Sequence, residues 1–399
     1  MPQLPPDADG VKQRERLVRR LTSTLEKQVR GSRVHAFGSA QTGLVLREGD
    51  VDLCLIVQDA RPRSLLRHLA NVLESEDYVD IVTLGNAKVP IVKFKEKRTG
   101  LAVDVSINNA LALRNTTLIR SYVDLDSRVR DLCLVVKHWA LHRGLADAFG
   151  GTLSSYAWTV LALRHLQACS PPLVPNLQTG APRREEEVDG RRVDTTIRTD
   201  AVALPCDLTL AELLLGFFHR WFVAHDWKAH VVSLREGAEL PRKQRGWKAP
   251  KPGPMDVLLG EAERMGEHVL GIEDPFDLRH DLSRVVRPEG WADLMEEGLR
   301  MWQGLAQGTA LDELLQTVEG LEVHLPDGKG LFHDLESLDS SEVTAMLNTE
   351  RASLDKATAW LDALQAERSR TIELAKAMRG TLSASKGMPE DQRQLVAAL

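Results

Sequence analysis

A chain of 399 residues, 43% hydrophobic, 27% charged and only 5% aromatic, is long enough for two to three domains with cores built mainly of Leu, Val and Ala, which excludes a mostly disordered chain. Lys+Arg 51 against Asp+Glu 57 leaves a net charge of −6, so any nucleic-acid contact needs a local basic patch, not a globally basic surface. No uncharged apolar run approaches the roughly 18 residues of a membrane span, and four scattered cysteines (Cys54, Cys133, Cys169, Cys206) without a CxxC pair argue against a disulfide framework or a cysteine zinc site and for a reducing compartment.

Residues 11–31 set Lys12, Arg14, Arg16, Arg19, Arg20, Lys27 and Arg30 against only Glu15 and Glu26. Val11, Leu17, Val18, Leu21, Leu25 and Val29 give the same stretch an apolar helical stripe, so it reads as a helix packed on the core, with a targeting segment as the alternative. Five short strands follow: VHAF (34–37), VDLCLIV (51–57), YVDIVTL (78–84), PIVKFK (90–95) and LAVDVSI (101–107), each β-branched or alternating in polarity. Between the second and third, SLLRHLANVLESE (64–76) has helical spacing. From 117 the period becomes helical, in 117–144, 152–168 and 208–225, the last opened by Thr209 and Glu212 at capping-box spacing. The charged stretch 178–194 and the basic, proline-rich stretch 241–254 read as loops. In the tail, 320–333 reads as a hairpin and 341–378 as a long helix or helix pair whose heptad seam fails at Arg368. The boundaries this suggests are 1–31, 32–116, 117–300 and 301–399.

The chemistry concentrates in FGSAQTGLVLREGDVDLCLIV (37–57). Gly38-Ser39 ends one strand, and Asp50-Val51-Asp52 opens the next. Residues two apart on a strand share a face, so Asp50 and Asp52 present paired carboxylates, which repel unless a cation lies between them. Alone, such a pair is most often a solvated strand end. Asp104, flanked by Val103 and Val105 inside another strand, changes that reading, because a buried acid needs a compensating partner. Three carboxylates on one sheet beside a Gly-Ser turn suit two Mg²⁺ (or Mn²⁺) ions bridging a nucleoside triphosphate.

These residues, together with VPIVKF (89–94), DVSINNALALRNT (104–116), VVKHWALHRG (135–144), GGTLSSYAWTVLALRHLQ (150–167), LLLGFFHRW (213–221) and IEDPFDLRHDLSRVV (272–286), resemble the nucleotidyltransferase superfamily typified by DNA polymerase β. Within it the chain is similar to terminal uridylyltransferases and non-templated poly(A) polymerases, most of all to the compact mitochondrial, editosome-associated uridylyltransferases of kinetoplastids. The resemblance implies an α+β fold of two lobes, a small mixed-sheet catalytic domain and a larger helical base-recognition domain, with a mostly helical C-terminal extension. It implies that Asp50, Asp52 and Asp104 hold two divalent cations. Gly38, Ser39, Lys137 and Ser155 would meet the triphosphate, Asn109 and Asn115 the sugar and base, and Tyr156 the stacked base. Asp274, Asp277 and His280 would select uracil. Leu141 stands where the family often has a second basic residue, which puts triphosphate affinity in doubt.

The activity so implied is template-independent addition of UMP from UTP to an RNA 3′-hydroxyl, with pyrophosphate released. A poly(A) polymerase using ATP and a catalytically weak RNA-binding scaffold are the alternatives. The implied partners are UTP, a single-stranded RNA 3′ end and an RNA-processing or editing complex, with no membrane; the implied compartment is mitochondrial, with cytoplasmic as the alternative. For the RNA itself, Lys88, Lys93, Lys95, Lys97 and Arg98 are candidates for a primer groove. A second candidate is the loop carrying Arg242, Lys243, Arg245, Trp247, Lys248 and Lys251, which as readily reads as solvated.

Overall fold

The computed structural model describes residues 4–58, 62–74, 77–85, 89–188, 191–247 and 268–316. Helix α1 (Ala8–Gln28) is capped by Asp7, whose carboxylate accepts from Gly10 N–H, and buries Leu17, Leu21 and Leu25. The strands β1 (Arg33–Phe37), β2 (Val51–Ile56), β3 (Tyr78–Leu84), β4 (Ile91–Glu96) and β5 (Ala102–Ile107) form one sheet in the order β1-β2-β5-β4-β3. It is mixed: β2 and β5 run parallel, and the other neighbours are antiparallel. Helix α2 (Ser39–Thr42) follows β1, and α3 (Pro62–Glu74) follows β2.

Alternation decides which face is which. Val51, Leu53 and Leu55 of β2, with Val103, Val105 and Ile107 of β5, join the apolar stripes of α1 and α3 (Leu66, Leu69, Leu73) in one core. The residues between them, Asp52 and Asp104 among them, are turned to the opposite face. Fully burying one such Leu or Val contributes about 1.5–3 kcal/mol, so the apolar half of the pattern fixes the face on which the acids must stand.

The helical part begins with α4 (Ala110–Val123), α5 (Ser127–His142) and α6 (Ser155–Ala168). It continues through the hairpin of β6 (Glu185–Val188) and β7 (Arg191–Asp194) to α7 (Leu210–His219) and a π-helical turn over Arg220–Ala224. A second hairpin joins β8 (His230–Ser233) and β9 (Ala238–Pro241), and helices α8 (Pro288–Ala306) and α9 (Leu311–Leu314) close the described chain. Trp139, Trp158, Phe217, Phe218 and Phe222 pack edge-on, tilted and, for Phe218 on Phe222, stacked in its core, with Trp139 5.1 Å from Trp158 and 4.9 Å from Phe218. The capping box predicted at Thr209 and Glu212 is formed on both sides.

Three sequence expectations need correction. The stretch 178–194 contains a hairpin, not only a loop; its strands EEEV and RRVD lack apolar alternation, with one valine each and a single pair of opposite charges, Glu187 and Arg192, in register. The helix predicted to 225 turns π-helical at Arg220, so the register changes there. A boundary at 300 falls inside α8, where Gly298 and Gly304 let the helix lie against Phe222 and Leu314 and bind it to the helical core. The hairpin expected at 320–333 and the helix at 341–378 lie outside the described residues. No helix among those described is long and apolar enough to cross a membrane.

Candidate active site

The parallel pairing of β2 with β5 places Asp52 directly beside Asp104, and Asp50 precedes β2 by one residue on the same side. One carboxylate oxygen from each of the three lies within 4.8 Å of the others. Burial pushes the Asp52 carboxyl up to about 8, and repulsion from Asp50 and Asp104 adds to the rise. Asp104 is raised as well, first by burial, with Lys93 opposing it. Three hard oxygen donors this close together are a donor set suited to Mg²⁺ or Mn²⁺, and their convergence is the observation on which the fit rests.

The turn at Gly38 is shaped around this cluster. Gly38 has φ +70, which favours glycine, and a Cβ there would overlap the Asp52 carboxylate. Its N–H donates to Thr116 Oγ1 of α4 at 3.0 Å, and Ser39 begins α2 immediately after. Lys137 of α5 is buried at 8% exposure and donates to the Leu44 carbonyl at 2.7 Å. Burial pulls its ammonium below the ordinary value, while Asp50 and Asp52 pull it back up, so it stands beside the acidic pair.

A second cluster forms around Asp274, 5% exposed. Its Oδ1 accepts from the N–H groups of Phe276 and Asp277, both at 2.9 Å. Its Oδ2 accepts from Asn115 Nδ2 of α4 and from Tyr156 Oη of α6, both at 3.4 Å. Burial and the neighbouring Asp274 hold the Tyr156 phenol well above its usual range. Asn115 Oδ1 is buried without a hydrogen-bond partner among the described residues, an acceptor left open. Asp277 and His280 share the turn that Asp274 opens, His280 N–H donating to the Asp277 carbonyl at 2.7 Å and Asp274 N–H to the His280 carbonyl at 3.1 Å. Ser155 is the first residue of α6 next to Tyr156, and Asn109 is the N-cap of α4, without a side-chain capping bond. Apart from Asn109, the predicted residues thus fall into an acidic end (Gly38, Ser39, Asp50, Asp52, Asp104, Lys137) and an aromatic-amide end (Asn115, Ser155, Tyr156, Asp274, Asp277, His280). Adjacent residues of α4, Asn115 and Thr116, reach one end each.

Other side chains were missed or misplaced by sequence reasoning. Arg14 of α1 donates to the carbonyls of Arg47 (2.7 Å) and Gly49 (2.8 Å), bracing the loop that delivers Asp50. Lys93 is not a free member of a primer groove: β4 pairs with β5 so that it lies opposite Asp104 and ion-pairs with it. Lys95 pairs with Asp80 at 3.0 Å and Arg98 with Glu96 at 3.7 Å. In the second basic loop, Arg242 donates to the carbonyls of Trp227, His268 and Val269, Arg245 pairs with the fully buried Glu273, and Trp247 Nε1 donates to the Leu278 carbonyl. These three are built into the fold; Lys88, Lys248 and Lys251 lie outside the described residues.

The comparisons with known proteins agree with this geometry. The family described as poly(A) RNA polymerase, mitochondrial-like, central palm domain, matches residues 1–124, and the Cid1 family poly A polymerase domain matches 209–280. Poly(A) RNA polymerase GLD2-B of Xenopus laevis is 33% identical over 293 residues, 71% of this chain and 54% of that protein. Poly(A) RNA polymerase cid11 of Schizosaccharomyces pombe is 28% identical over 319 residues, 79% of this chain and 63% of that protein. The chain therefore spans about half to two-thirds of the length of these curated relatives. Among solved structures, the Cid1 poly(U) polymerase bound to Mg and 3′-dATP superposes with a TM-score of 0.69 at 26% identity, covering 79% of this chain and 96% of that one. A cytoplasmic RNA terminal U-transferase gives 0.67 at 27%, covering 79% and 95%. The fold and the three acids define a two-domain nucleotidyltransferase architecture. The chain belongs to the Cid1/GLD2-like family of poly(A)/poly(U) polymerase nucleotidyltransferases.

Proposed function

We propose that this chain adds UMP from UTP to the 3′-hydroxyl of single-stranded RNA, without a template, and releases pyrophosphate. The observation that carries the transferase reading is the convergence of Asp50, Asp52 and Asp104 to within 4.8 Å. These three would hold two divalent cations, Mg²⁺ or Mn²⁺. When bound, such ions supply charge neutralisation for the departing pyrophosphate and a lowered pKa for the attacking hydroxyl. The chain's own residues orient the reactants. Lys137 stands beside Asp50 and Asp52 as a point charge for the triphosphate, the turn at Gly38 leaves room for the Asp52 carboxylate, and the orphan Asn115 Oδ1 is free to accept from a ribose hydroxyl. A contact to the 2′-hydroxyl distinguishes ribonucleotides from deoxyribonucleotides.

The uracil preference is the finer part of the reading. Tyr156 offers a ring for stacking, which contributes about 1–3 kcal/mol and discriminates poorly among bases. Selectivity then falls to Asp274, Asp277 and His280 on their shared turn, since uracil presents an N3–H donor that a carboxylate can accept and cytosine does not. Support also comes from the fold's likeness to a poly(U) polymerase and a terminal U-transferase. The second reading, ATP as substrate, is favoured by the identity to GLD2-B, a poly(A) RNA polymerase. Offering each of the four ribonucleotides separately to a labelled RNA primer with Mg²⁺ decides between them. Extension with UTP at least tenfold faster than with ATP is expected, equal or faster use of ATP overturns the uridylyl assignment, and no extension with any nucleotide overturns the enzyme. The likeness to the kinetoplastid editing-associated enzymes and a mitochondrial compartment belong to the same proposal, tested by where the tagged chain resides and what it co-purifies with.

A further inference from the structure

Two of the four cysteines are fully buried, Cys54 and Cys133, and two are partly exposed, Cys169 and Cys206. The partly exposed pair lies outside the site just described. Leu204 N–H donates to the Leu173 carbonyl at 2.9 Å, so the segments 171–173 and 204–206 run alongside each other in opposite directions. Two residues further on, Cys206 faces Pro171. Both sulfurs lie 3.3 Å from the same acceptor, the Pro171 carbonyl oxygen, and the Cys169 thiol is shared between it and the Leu166 carbonyl at 3.3 Å. Their sulfurs are therefore separated by no more than twice that distance. Arg128 fixes the backbone here, its guanidinium donating to the carbonyls of Cys206 (2.9 Å) and Leu208 (2.7 Å).

We propose that Cys169 and Cys206 form a dithiol modification site that low-molecular-weight disulfides oxidise reversibly to an intramolecular disulfide. The first bond forms on Cys206, and Cys169 is the resolving thiol. Its thiolate bonds to one sulfur of oxidised glutathione, whose S–S bond breaks and releases one glutathione thiol. The Cys169 thiolate then attacks the mixed disulfide at the Cys206 sulfur and expels the second glutathione. Two protein thiols are oxidised by two electrons, one reagent disulfide is reduced to two thiols, and the protons go to the leaving groups. The bond closes the base of the excursion 170–205, which carries Gln178 to the Pro275 carbonyl (3.0 Å) and Glu186 to Arg114 (2.6 Å), beside the Asp274 turn.

The test treats the native full-length chain with oxidised glutathione, then blocks remaining thiols under denaturing conditions. The proposal expects a mass lower by two hydrogens, a tryptic cross-link joining Cys169 to Cys206, two thiols left at Cys54 and Cys133, and full reversal by dithiothreitol. Cys169→Ser should instead accumulate a stable glutathione adduct on Cys206. Four blockable thiols after treatment, stable glutathione adducts on the unmutated chain, or a bond between two copies would each overturn it.

Discussion

Replacing Asp52 by Asn should stabilise the metal-free protein while abolishing its activity. The Asp52 carboxyl sits at about 8 in the folded chain against an ordinary 3.8. Between those values the folded state binds a proton that the unfolded state has released, so wild-type stability falls as pH rises from about 4 to about 8. At pH 7 the gap is roughly three units, which at about 1.4 kcal/mol per unit costs up to about 4 kcal/mol. At pH 5 the same arithmetic leaves under about 2 kcal/mol. Asn keeps the side chain's shape and never carries the charge, so it escapes the penalty. Thermal unfolding in EDTA should show Asp52→Asn melting several degrees above wild type at pH 7, at about 2–4 °C per kcal/mol, with the gap widening from pH 5 to pH 8 and flat above. Saturating Mn²⁺ should raise the wild type and close the gap, while primer extension by the variant is lost. A variant that melts at or below wild type in EDTA throughout that range would refute the reasoning, because the carboxylates would then not be crowded and buried as described.

Two further substitutions probe the surroundings of the same cluster. Gly38→Ala places a methyl group on the Asp52 carboxylate in a backbone conformation with φ +70; extension should fall at least 100-fold while far-ultraviolet circular dichroism is unchanged, and retained activity would remove the turn from the site. Lys93→Met deletes the ammonium paired with Asp104, so at pH 8.5 Mn²⁺ should bind roughly tenfold tighter, as expected for removing a nearby like charge from a partly screened site; weaker binding by electron paramagnetic resonance titration would show that Lys93 organises the acids and does not compete with the cation.

Much of the catalytic half was legible because its period is 2. Alternation in VDLCLIV and LAVDVSI separates an apolar face from an acidic one, and the parallel pairing then brings Asp52 beside Asp104. The strand pairing itself is not local information, so in sequence Lys93 is one candidate of a basic run, and only the pairing of β4 with β5 sets it opposite Asp104. Arg14 was hidden for a similar reason: it reads as one more charge on a basic helix, and only the fold carries it to the Arg47 and Gly49 carbonyls. The strands of β6 and β7 are not legible because each carries a single valine among charged residues, too little for an apolar alternation. Asn115, Tyr156 and Asp274 were named through family resemblance; no spacing rule joins positions so far apart, and their shared hydrogen bonds appear only in three dimensions.

The parallel partnership of β2 and β5 has a consequence for how competence is acquired. Because side chains alternate strictly, a slip of either strand by a single position would turn its acid toward α1 and α3 and a valine or leucine toward solvent. Sheet register therefore decides whether Asp52 and Asp104 meet at all, before the helical part adds Lys137, Tyr156 and Asp274 to the site.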